Sequence, residues 1–184
     1  MDETRLGLKT IGGKKITLKG VKPEGSVQWT RDNFYLYGAV DITSGESYFY
    51  EFSHIDSQCF QLFVNQLSKE FPETLNFRQL DNAGCHKNID FPENIIPIFQ
   101  PAYSPEVNPI ERLWEELKAK LRWQNCKDLK SLQQRLSQVL DSFDKVMIAS
   151  ITGWDYLVDA LLRATSYRNS IRSIPVEIPD EIYS

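Results

Sequence analysis

A mixed α/β domain is predicted by three observations. Short runs of alternating apolar residues interleave along the chain with runs at helical spacing. Glycine, proline and asparagine punctuate the runs. At 184 residues, with 41% hydrophobic and 12% aromatic side chains, the chain suits one well-cored domain and is unlike a disordered one.

Each element follows from its own pattern. Residues 2–8 alternate, with Leu6 and Leu8 on one face, as a first strand would. Ile16, Leu18 and Val21 alternate with Lys and Thr and predict a second short strand or hairpin arm before a turn at 23–25. Residues 27–29 add a brief extended piece. The strand formers at 34–40 and 47–52, joined through Thr43-Ser44-Gly45, predict an antiparallel hairpin. Asp56 caps a helix whose inward face is Phe60, Phe63, Val64, Leu67 and Phe71, with Pro72 ending it.

Residues 75–80 return to strand, and Asp81 stands at the C-terminal end. Residues 95–99 form a further strand that leads into a proline loop containing Pro101 and Pro105. Asn108 is placed as an N-cap, Pro109 at the first helical position and Glu111 at the third. Ile110, Leu113, Trp114, Leu117 and Leu121 then define a buried face with Glu111 at its rim. Asp128 opens another helix, with Leu129, Leu132, Leu136, Val139, Leu140 and Phe143 inward. Val158, Leu161 and Leu162 suggest one more before the tail at 175–184. The tryptophans Trp29, Trp114, Trp123 and Trp154 are expected in the core or at its rim.

Composition narrows the function. No apolar run approaches the ~20 residues of a membrane span, and the N-terminus lacks the regions of a signal peptide, so a cytoplasmic location is expected. Cys59, Cys85 and Cys126 are widely spaced and expected to be free thiols; with only His54 and His86 available, a zinc site is not expected. The net charge is −4, but it is unevenly spread. Arg5, Lys9, Lys14, Lys15, Lys19 and Lys22 gather near the start, and Glu177, Asp180 and Glu181 lie in the tail. Such a basic strip is either a solvated hairpin or a phosphate-binding one.

The acids carry the sharper signal. Taken singly, Glu111 reads as a helix cap, Asp81 as a turn residue before Asn82 and Gly84, and Asp2 as a terminal acid. Their flanks change that reading. D-E-T-R-L-G-L at 2–8, L-D-N-A-G-C-H at 80–86 and S-P-E-V-N-P-I-E-R-L-W-E-E-L-K at 104–118 resemble the catalytic domain of DDE transposases. The resemblance is to the bacterial insertion-sequence branch of the mariner-like superfamily, and runs from Asp2 to the 140s.

The resemblance implies a ribonuclease-H-like α/β fold, a mixed central sheet flanked by helices. Residues 1–150 would be the catalytic domain, and 151–184 a C-terminal helix and tail. It implies Asp2, Asp81 and Glu111 as the catalytic acids and the ligands of Mg²⁺, with Mn²⁺ able to substitute. Mg²⁺ takes hard oxygen ligands, and two ions about 3.5–4 Å apart can activate a water and stabilise a leaving oxygen. The implied activity is cleavage of double-stranded DNA at inverted-repeat transposon ends and transfer of the 3′-hydroxyl into a TA-type target. A homodimer and an upstream helix-turn-helix product are the implied partners. Lys14, Lys15, His86, Arg112, Lys118 and Arg122 are the candidates for DNA contact. With only Met1 before Asp2, the first strand is expected to be truncated and to fray at that acid. The alternative is therefore an inactive remnant that folds and associates with full-length transposase.

Overall fold

The computed structural model describes residues 1–101 and 107–159, together with residue 163. Ser104, Pro105, Leu161, Leu162 and the acidic tail lie outside the described residues. Strands β1 (Asp2–Gly7), β2 (Asn33–Val40) and β3 (Ser47–Phe52) form an antiparallel sheet in the order β1-β2-β3. Helix α1 (Ser57–Glu70) follows, then β4 (Asn76–Leu80), a 3₁₀ turn (Gly84–His86) and β5 (Ile95–Phe99), with β4 and β5 parallel. Helices α2 (Ile110–Lys120), α3 (Leu129–Asp141) and α4 (Lys145–Thr152) complete the described elements.

The register of β1 on β2 sets the site. Asp2 pairs with Gly38, Thr4 with Leu36 and Leu6 with Phe34. Strand periodicity sends Leu6, Phe34 and Leu36 to one face, where they join Ile110, Leu113, Trp114, Leu136 and Ile148 in a core beneath α2, α3 and α4. The opposite face carries Met1, Tyr37 and Ala39 against Phe60, Phe63, Val64 and Leu67 of α1 and Leu80 and Ile95 of β4 and β5. Helices thus cover both faces, and β2 is buried almost throughout.

Two glycines are dictated by this packing. Gly38 lies under the Trp114 ring, and a Cβ there would stand 2.5 Å from Trp114 Cη2. Gly45 closes the β2–β3 hairpin at φ +71°, where a side chain is disfavoured, against the Lys145 carbonyl. Asp56, Asp128 and Asp144 cap α1, α3 and α4, each accepting a backbone N–H through its side chain.

Four expectations are corrected. Residues 8–32 contain no strand; they form a long excursion whose base is fastened by Leu8 N to Asp32 O (3.0 Å) and Thr10 N to Gln28 O (3.1 Å). Its apolar residues had suggested a strand, but Ile16 projects fully and Leu18 largely into solvent, with no sheet to pair against, and Trp29 is 71% exposed. Asn108 does not cap α2: Pro109 occupies the cap position without a side-chain hydrogen bond, and Asn108 is buried with no partner for its Oδ1 among the described residues. Asp2 does not fray. Six β1–β2 pairs hold its strand, Met1 is buried, and the Met1 amine donates to Gln79 O at 3.1 Å. Helix α4, built around Met147, Ile148 and Ile151, was not foreseen.

Candidate active site

Asp2 opens β1 and points, like Thr4 and Leu6, to the side covered by α2. Its Oδ2 accepts a hydrogen bond from Trp114 Nε1 at 2.9 Å. Trp114 is buried because it lies on the apolar stripe of α2, so a core side chain also orients an acid. Glu111 lies one turn earlier on the same helix, exposed in its first turn. Burial first, then the charges of Glu3 and Glu111, pushes the Asp2 carboxyl up to about 7. A carboxyl poised this way is relieved by a cation.

Asp81 follows β4, where Gln100 N to Leu80 O (2.7 Å) and Asn82 Nδ2 to Gln100 O (2.6 Å) bind the ends of β4 and β5 together. Its Oδ1 accepts from Ala83 N at 2.9 Å, the Asx turn that the Asp-Asn-Ala-Gly sequence favours. The same oxygen lies 2.7 Å from His86 Nδ1, which also hydrogen-bonds to the Asp81 carbonyl oxygen at 3.3 Å. His86 Nε2 in turn lies 3.1 Å from Glu3 Oε1. The ring packs against Phe60, with centroids 4.2 Å apart. Burial by itself would lower the His86 pKa, but the Glu3 hydrogen bond and charge, with the Asp81 contacts, outweigh it and raise it.

Among the described residues, Glu3, Cys85 and His86 bring three possible ligand atoms within 4.8 Å of one another. Asp2, Asp81 and Glu111 are not drawn that close: Asp2 and Glu111 belong to the α2 side, and Asp81 leans on His86. Burial and the charge of Glu3 push the Cys85 thiol up to about 11, which keeps it neutral and a weak ligand.

The candidates for DNA contact fall in different surroundings. His86 is corrected: it is 2% exposed and both ring nitrogens face acids, so it presents nothing to a phosphate. Lys14 is exposed. Lys15 donates to Glu24 O at 2.6 Å and sits 4.4 Å over the Trp123 ring. Arg112 stacks on Trp154 at 4.5 Å. Lys118 is half-buried and Arg122 exposed. Sequence reasoning missed Glu3 and the Asp2–Trp114 bond. The signal for Glu3 was present in strand alternation, which puts it on the face opposite Asp2, towards α1 and His86.

Comparison with known proteins fits this geometry. Residues 1–133 match the family described as DDE superfamily endonuclease. An uncharacterized protein of Sinorhizobium fredii, y4pE/y4sA, is 23% identical over 128 residues, covering 68% of this chain and 85% of its own. Among solved structures, the Mos1 transposase paired-end complex with left transposon end superposes with a TM-score of 0.63 at 17% identity, covering 82% of this chain and 49% of the other. A pre-cleavage Mos1 transpososome gives 0.65 at 16% identity, covering 82% and 50%. The Mos1 mariner paired end complex with Mn gives 0.62 at 18%, again covering 82% and 50%. The chain spans about half the length of these Mos1 chains, and the likeness is one of fold, ribonuclease-H-like. With the match running from β1 through α2 and into α3, and so through every acid of the site, the chain belongs to the DDE superfamily endonucleases.

Proposed function

We propose that the chain is the catalytic part of a transposase that uses a divalent cation, Mg²⁺ or Mn²⁺, to cut DNA at transposon ends and join the freed 3′-hydroxyl to target DNA. Asp2, Asp81 and Glu111 are its ligands. The observation that carries the reading is the Asp2 carboxyl, pushed up to about 7 by burial and then by the charges of Glu3 and Glu111. A hard, oxygen-only donor set fits Mg²⁺. When bound, such a cation supplies an activated water and a stabilised leaving oxygen.

The chain's own residues position the acids. Trp114 holds Asp2 by Oδ2, and Ala83 and His86 hold Asp81 by Oδ1. The start of α2 presents Glu111, and Gln79 Nε2 to Val107 O (3.0 Å) ties the approach to that helix onto β4. Lys14, Lys15, Arg112, Lys118 and Arg122 contribute positive charge for the duplex backbone. The DNA partners are inverted-repeat ends and a TA-type target, bound by a homodimer, with a helix-turn-helix supplied by an upstream product. The catalytic part is residues 1–150, and a cytoplasmic location follows from this role.

Calorimetry with Mn²⁺ on the chain and on Asp81→Asn tests the reading. Binding by the chain that is lost in the variant supports it, and nicking of inverted-repeat duplexes then tests the activity. Negligible binding in both overturns it in favour of a folded remnant that associates with full-length transposase.

A further inference from the structure

We propose that Glu3 and His86 form a positioning relay that fixes Asp81 by its Oδ1 and leaves Oδ2 as the oxygen offered to the cation. This rests on the reading of Asp81 as a metal ligand. Three observations carry it. Both contacts to the Asp81 carboxylate fall on Oδ1: the hydrogen bond from Ala83 N at 2.9 Å and the ion pair with His86 Nδ1 at 2.7 Å, a nitrogen that also meets the Asp81 carbonyl oxygen at 3.3 Å. Among the described residues Oδ2 accepts no hydrogen bond, and the Asp81 side chain is 49% exposed. The His86 ring cannot drift, because Glu3 Oε1 holds Nε2 at 3.1 Å and Phe60 packs on its face.

The Glu3 side chain is itself 6% exposed, so the relay runs from the α1 side of the sheet to the rim where Asp81 emerges. A carboxylate free at both oxygens would rotate. One pinned at Oδ1 presents a single oxygen in a fixed direction. This is the arrangement by which partners behind a ligand orient it, and their loss typically weakens metal affinity about 10–100-fold.

The relay makes an asymmetric prediction. In His86→Asn the amide nitrogen lies near the place of Nδ1 and still donates to Asp81. In His86→Gln the longer side chain reaches towards Glu3, and the donor to Asp81 is lost. Mn²⁺ affinity, read by calorimetry and by the electron paramagnetic resonance of bound Mn²⁺, is compared for both variants, for Asp81→Asn and for the native chain, with each melting temperature recorded. The expected result is a loss of roughly tenfold or more in His86→Gln and recovery of most of it in His86→Asn. Equal affinities in the two His86 variants, or losses that simply track melting temperature, overturn the relay while leaving Asp81 a ligand. Unchanged affinity in Asp81→Asn overturns the metal reading itself.

Discussion

Trp114 Nε1 donates to Asp2 Oδ2 at 2.9 Å across 112 residues of sequence, so the helix that carries Glu111 also holds the first acid. Trp114→Phe keeps most of the core and removes the donor. It should destabilise the fold by about 1–3 kcal/mol in chemical denaturation, because a buried acceptor loses its bond and the ring loses volume. It should also weaken Mn²⁺ binding in calorimetry. Unchanged affinity would show that Asp2 holds its place without the indole.

The neighbouring constraint is Gly38, the β2 partner of Asp2. A Cβ there meets Trp114 Cη2 at 2.5 Å and Phe49 Cδ1 at 3.0 Å. Gly38→Ala should therefore cost about 1–3 kcal/mol through overpacking and lower the melting temperature. A neutral or stabilising result would mean that the indole can shift freely.

The raised Asp2 pKa sets a pH dependence for the metal-free protein. The folded state holds this proton up to about 7, whereas the unfolded chain releases it near the ordinary carboxylate value of 3.8. Between those limits the folded state binds more protons, so the Asp2 contribution falls as pH rises from about 4 to 7. Asp2→Asn should flatten that slope and stabilise the protein most above pH 7, as read by urea denaturation across pH. Parallel curves for the two proteins would rule the coupling out.

Lys14 and Lys15 differ in their surroundings although adjacent. Lys14 is exposed, while Lys15 already engages Glu24 O and the Trp123 ring. If the excursion meets DNA, Lys14→Glu should weaken binding of a duplex across all sequences and reduce the salt slope by about 1. Lys15→Glu should in addition loosen the excursion from Trp123, seen as a change in tryptophan fluorescence. An unaltered salt slope in both variants would remove this strip from the DNA interface.

Much of the fold was legible where one physical signal dominated. The hairpin of β2 and β3, the Asp56 and Asp128 caps and the apolar stripe of α2 each follow from local pattern and appear at the expected residues. Residues 8–32 misled because alternation reports a strand only where a partner strand exists, and none stands beside Ile16 or Leu18. Asn108 misled because capping preference is local, whereas packing at the start of α2 buried the side chain. The flanking motifs drew attention to the acids, but the side chains that support them carried no such signal. The Glu3–His86 pair spans 83 residues, and the Trp114 bond hides inside a residue already explained as core.

Among the described residues no strand pairing joins β1 to β4; the two sheets meet where the Met1 amine reaches Gln79 O. Asp2 stands on one bank of that seam and Asp81 on the other. A cation gripping both would act as a clasp across that seam, tying two sheets that no strand pairing joins among the described residues. Ligand binding and mechanical closure would then be one event, and amide hydrogen exchange at Glu3 and Leu80 should slow together when Mn²⁺ is added.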